Sequence, residues 1–216
     1  MNATQIVLLG GLKFDETQRT LSAADRISAL ALLDERGALP LGGCVLFVEL
    51  AADDATPKEQ AVRIALQGPP GTLGLMNGPV AFAAAEDGLR KATVLLNLDG
   101  VGVKEPGSYA FRVFDGSDEL GSLELETTMA RGRVRVRFGT FKEGQLPFTL
   151  FAEDGAFGGY SVVGLEPGAD GAPPQLSLPP GYEKLGRAEA FVAAARRSSD
   201  GSVSGEASDI IVELPA

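Results

Sequence analysis

Hydrophobic and polar residues alternate along most of this chain. Val62, Ile64 and Leu66 share one side of a run whose other side carries Arg63 and Gln67. The same period of two returns at Val80, Phe82 and Ala84, and at Val94, Leu96 and Leu98. It returns again at Tyr109, Phe111 and Val113, and at Leu123 and Leu125. Successive side chains of a strand point to opposite faces, so such runs predict half-buried antiparallel strands. Glycine, proline, asparagine and aspartate punctuate them, and with 28 Gly and 13 Pro the chain has turns enough for many short strands. An all-β, mainly antiparallel fold of sandwich-like domains is the expectation.

One segment reads two ways. Ser22-Ala-Ala-Asp25 has the spacing of a helix N-terminal capping box, and Ile27, Leu30 and Leu33 fall roughly on one helical side. This allows one short helix near residues 22–34. The same residues also suit strands through Thr20-Leu21 and Ile27.

The layout of the first 128 residues carries a resemblance. An apolar opening strand, Ile6 to Leu9, precedes a polar turn from Phe14 to Arg19, then Thr20-Leu21, Asp25-Arg-Ile27 and Pro40. Phe47-Val-Glu-Leu50 and Ala61-Val-Arg-Ile-Ala-Leu66 follow. Ala92-Thr-Val-Leu-Leu-Asn-Leu98 then leads to Glu105-Pro-Gly-Ser-Tyr-Ala-Phe-Arg-Val113 and Glu119-Leu-Gly121. In this order the segments resemble an uncharacterised bacterial β-sandwich family of unknown function. The resemblance implies strands, not a helix, over residues 20–33, and implies no chemistry.

The last third is denser in turns: Gly158-Gly159, Pro167-Gly168, Gly171-Ala-Pro-Pro174 and Pro179-Pro-Gly181. Glu189 to Ala195, a loop through Asp200-Gly201, and Ala207-Ser-Asp-Ile-Ile-Val-Glu-Leu214 follow. Residues 188–214 resemble the closing hairpin of a fibronectin type III or other immunoglobulin-like domain. Two domains are therefore expected, 1–128 and 133–216, with the junction between Thr127 and Gly132.

Charge and composition narrow the functions. The 216 residues carry a formal net charge of −10, which repels phosphate backbones and disfavours nucleic acid as a partner. Histidine is absent, which excludes Ser-His-Asp and Cys-His catalysis and every histidine-containing metal site. The single cysteine, Cys44, lies in the apolar run from Leu41 to Leu50 and is expected to be buried and unreactive. The first residues lack the basic and long apolar regions of a secretory signal, and no run approaches the ~18 apolar residues of a spanning helix. A cytoplasmic location with no membrane association is the expectation.

Few motifs carry chemistry. Gly68-Pro-Pro-Gly-Thr-Leu-Gly74 resembles the opening of a phosphate-binding loop, but Leu75 and Met76 stand where Lys and Ser/Thr are required, so no nucleotide is expected. The acidic groups Asp53-Asp54, Asp115 with Asp118-Glu119, Glu153-Asp154 and Asp209 suit solvated loops, with a calcium site left open at Asp115-Gly-Ser-Asp118. Phe148, Phe151, Phe157 and Tyr160 suit core packing, with an exposed binding patch as the alternative.

The most distinctive pattern is Arg131, Arg133, Arg135 and Arg137, spaced by Gly132, Val134 and Val136. Alternation puts all four on one face of one strand. They are either a basic stripe for an anionic partner or an ion-pair ladder with the preceding strand. In the ladder, Glu119–Thr127 and Arg133–Phe138 form a hairpin around Met129-Ala130, pairing Glu126 with Arg133 and Glu124 with Arg135. The sequence thus points to a non-catalytic interaction or assembly module with a protein partner, no cofactor and no metal, self-association being left open. The alternatives are a structural protein of a phage-like particle and an enzyme using carboxylates alone.

Overall fold

The computed structural model describes every residue except 12, 16–19, 24, 35–36, 86–87, 167–173, 200–208 and 216. The expected turn at 16–19, the turn signals at 167–173 and the Asp200-Gly201 loop lie outside the described residues. The fold is all-β and mainly antiparallel, with one short α-helix among the described residues. No described helix is long and apolar enough to cross a membrane.

The chain forms two compact units. The first comprises residues 1–28, 42–99 and 107–127. Its strands are β1 (Asn2–Gly10), β2 (Lys13–Asp15), β3 (Thr20–Ser22), β4 (Asp25–Ile27), β7 (Cys44–Ala52), β8 (Glu59–Gly68), β9 (Gly71–Ala81), β10 (Ala83–Ala84), β11 (Arg90–Asn97), β13 (Gly107–Asp115) and most of β14 (Asp118–Met129). One sheet runs β10-β11-β7-β1-β4, while β9, β8, β13 and β14 pair in that order in another. The central strand β7 shows why. Cys44, Leu46, Val48 and Leu50 alternate on one face and are fully buried, and the ladders to β1 and β11 hold that register (Leu46↔Leu8, Val48↔Val94). Val62 and Ile64 of β8 and Phe111 and Val113 of β13 are likewise fully buried. The two sheets touch where Gly121 of β14 meets Ala3 and Ile6 of β1.

The second unit comprises residues 29–41, 100–106 and 128–216. The division expected near residue 128 is therefore not a single cut, because two earlier segments belong with the later residues. These segments contain β5 (Ala29–Leu32), β6 (Leu39–Pro40) and β12 (Gly102–Val103). β6 pairs with β12, and Leu30 of β5 bridges in parallel to Phe157. The helix allowed over 22–34 is not formed; its described residues run through the end of β3, then β4 and β5, with short irregular connections. Leu30, Ala31, Leu32 and Leu33 are all buried. A run buried at every position suits a strand covered on both faces better than an amphipathic helix with one wet side.

The main sheet of this unit runs β19 (Asp209–Glu213), β15 (Arg133–Phe138), β16 (Gln145–Ala152) and β17 (Phe157–Glu166), with β18 (Gln175–Ser177) also on β17. Its inner face packs on the helix α1 (Glu189–Ser199) and a 3-10 turn at Leu185–Arg187. Residues Glu189 to Ala195, expected as a hairpin strand, are thus helical. Alanine favours helices and is depleted in strands, Phe191, Ala194 and Ala195 fall on one helical face, and Arg196 and Arg197 complement the dipole in the last turn. The closing strand of that expectation is present as β19.

Aromatic rings knit the helix to the sheet. Phe191 lies 5.4 Å from Phe138 and 5.6 Å, edge-on, from Phe148. Phe148 also meets Tyr182 edge-on at 5.4 Å, and the Tyr182 hydroxyl donates to the carbonyl of Gly158 at 3.2 Å. Gly159 has φ +115°, and a Cβ there would sit 2.0 Å from the Tyr182 oxygen, so this close approach requires glycine. Phe191 is fully buried, and Phe191→Ala should destabilise the protein by about 3–5 kcal/mol. Ala193→Ser, on the exposed side of the same helix, should cost under about 0.5 kcal/mol. Urea unfolding measures both, and near-equal losses would mean that the helix is not docked as described.

Candidate functional site

Strand β15 sorts its side chains by face. Val134, Val136 and Phe138 are buried in the core under α1. Arg133, Arg135 and Arg137 therefore project from the opposite face, as the alternation predicts. The neighbouring ladders place Ile211 and Phe151 beside Arg135, and Asp209 and Thr149 beside Arg137. The face is an arginine row with apolar and acidic residues on both sides. Arg131 is exposed in the connection before β15 and does not belong to the strand.

The arginines do not pair with β14. That strand is matched to β13 from Thr127↔Gly107 to Asp118↔Asp115, so the hairpin around Met129-Ala130 is not formed. The backbone N–H of Ala130 instead donates to Leu32 at 2.7 Å, and that of Leu214 donates to Gly132 at 2.7 Å. Glu124 lies 3.9 Å from Arg112, and Glu126 accepts from Ser108. The stripe takes its counter-ions from elsewhere. Arg133 pairs with Glu153 at 2.5 Å, while Arg135 at 3.3 Å and Arg137 at 2.9 Å share Asp209.

These pairs are accessible: the side chains of Arg133 and Glu153 are 55% and 59% exposed. Exposed pairs contribute about 0–1 kcal/mol and are weakened by salt, so another carboxylate can displace them at little cost. The guanidinium groups have a second contact. Arg135 lies 4.8 Å and Arg137 5.8 Å from the ring centre of Phe151, which is only 6% exposed. Phe151 continues into a row with Phe157 at 6.0 Å and Tyr160 5.0 Å beyond it. Phe148, Phe151 and Phe157 are buried, as core packing predicts, though they serve both faces of the sheet. Arg133, Arg135, Glu153, Asp154, Gly155 and Ile211 are among the residues that line a groove of about 440 Å³.

The other candidates fall elsewhere. Gly68 to Gly74 is the tip of the β8–β9 hairpin, with Gly68 paired to Gly71 across a two-residue Pro69-Pro70 turn. A Cβ on Gly68 would sit 2.3 Å from the Tyr109 ring, so this glycine serves packing. Cys44 is fully buried; burial, and secondarily Asp99 and Asp25, push its thiol up to about 12, far from the range of a reactive thiolate. The carboxylates are held locally. Thr56 donates to Asp53 from its hydroxyl and its backbone and lowers the Asp53 pKa. Asp115 accepts from Gln60 at 2.8 Å, Glu119 pairs with Arg112 at 2.7 Å, and Asp154 accepts from the Ala156 N–H. Among the described residues, no three His, Cys, Asp or Glu side chains gather as a metal ion would need.

Comparison with known proteins finds no match: no family model fits the sequence, and no curated protein or solved structure is similar to it.

The pairing scheme has a direct check. A double-mutant cycle on Arg137 and Asp209 should show coupling of about 0.2–1 kcal/mol that shrinks with added salt. A cycle on Arg135 and Glu124 should show none. Coupling in the second cycle and not in the first would restore the hairpin ladder.

Proposed function

We propose that this chain is a non-catalytic interaction or assembly module that holds a protein partner on the arginine face of its second unit. The observation that carries this reading is Ile211. It is 57% exposed and lies beside Arg135 on the arginine row, in the lining of the groove. Binding surfaces commonly combine an apolar anchor with arginine and a rim of exchangeable charges. Arginine also reads carboxylates with a planar, two-pronged geometry. The partner suited to this face is a protein segment with one apolar side chain for the Ile211 side and carboxylates to replace Asp209 and Glu153.

The test is affinity capture from the native host with the intact chain, followed by a binding isotherm for the captured protein. Arg135→Glu and Ile211→Glu should each weaken binding at least tenfold, with unchanged circular dichroism and melting lowered by no more than about 2–4 °C. Exposed Lys142→Glu, off this strand, should leave it unchanged. Equal binding by all three variants would exclude this face.

A further inference from the structure

Long, exposed strand edges invite pairing with another chain, and proteins blunt them by shortening or charging the strand. The described sheet-ending strands follow this rule with one exception. β4 has three residues, Asp25-Arg-Ile27, and β10 has two. β19 has five and carries Asp209 and Glu213. β9 has eleven residues and no charge. It ends its sheet, bonded to β8 along Gly71 to Ala81, and among the described residues nothing pairs with its far side. Gly71 to Gly74 are exposed in succession, and Leu73 is 48% exposed.

We propose that β9 is a self-association edge, which pairs antiparallel with β9 of a second copy and continues the sheet through a two-fold dimer.

Charge selects this occupant. Two copies at −10 each repel, and they approach most easily where charge is missing. Ile64 to Ala85 contains no charged residue, the longest such run in the chain. A neutral apolar strand offers a charged peptide no counter-ion and suits a strand like itself, and an isologous two-fold contact supplies that strand. The glycines agree. A Cβ on Gly74 or Gly78 would meet nothing within 4 Å, so packing within the chain does not demand glycine there. Glycine within a strand weakens it, and it recurs where another backbone comes close. Pro79 has no N–H to donate, so it limits the pairing window to about Gly71–Asn77.

Sedimentation velocity on the intact chain across a dilution series tests this. The wild type should show the mass of two chains at high concentration and dissociate on dilution. Leu73→Lys places two like charges at the pairing line and should give a monomer throughout, with unchanged circular dichroism. Leu95→Lys, at another exposed leucine of the first unit (51% exposed), should leave the dimer intact. A monomeric wild type, or a dimer that survives Leu73→Lys, overturns the proposal, as does a dimer broken equally by both variants. Hydrogen exchange of the wild type reads the same point without a variant. Amides of Gly71–Asn77 should exchange several-fold more slowly as concentration rises, and concentration-independent exchange there overturns it.

Discussion

The packing of Phe191 against Phe138 and Phe148 settles which way the whole of β15 faces. Phe138 shares its side of the strand with Val134 and Val136, all buried beneath the helix. A slip of one residue would turn Arg133, Arg135 and Arg137 into that apolar layer. An unpaired guanidinium there would cost several kcal/mol, so the alternative register is excluded by charge burial as well as by lost contacts. The outward stripe is therefore a consequence of the core. The same docking orders the aromatic chain from Phe191 through Phe148 to Tyr182, whose hydroxyl fixes the Gly158-Gly159 backbone.

Once outside, the arginines need both counter-ions and something to lie on. Phe151 provides the second and is covered in return, so the guanidiniums are positioned while their charged edges stay accessible. Glu153 and Asp209 moderate the charge without sealing it. The first unit offers the opposite kind of surface along β9, a backbone edge without charge. An acidic chain thus carries one face suited to exchanging carboxylates and one edge suited to neutral pairing, which is why the two are proposed for different partners.

What was legible in the sequence follows the range of the forces. Alternation is local, and Val62-Ile64, Tyr109-Phe111-Val113 and Arg133-Arg135-Arg137 all fall on strands with the expected faces. The Pro106-Gly-Ser-Tyr109 segment marks a strand start, and its tyrosine lies over Gly68. Partners of strands are not local. Asp209 lies 72 residues from Arg137, whereas Glu124 and Glu126 stand close in sequence at matching spacing, so a short hairpin is the natural but incorrect inference. Glu189 to Ala195 misleads for a different reason. Its apolar residues fit either period, and the intrinsic preference of alanine, reinforced by the Phe138–Phe148 surface, decides for the helix. The segment 22–33 errs the opposite way, because a capping pattern cannot show that Leu30 to Leu33 are covered on both sides.

Hydrogen-exchange mass spectrometry on the chain bound to its captured partner tests the central claim most directly, since it reports where the partner sits without altering any residue. The account predicts slowed exchange at 133–137, 151–155 and 209–213 relative to the free chain, with α1 unchanged because it lies on the opposite side of the sheet. Protection confined to other segments, or none at the three strands around the arginines, would contradict it.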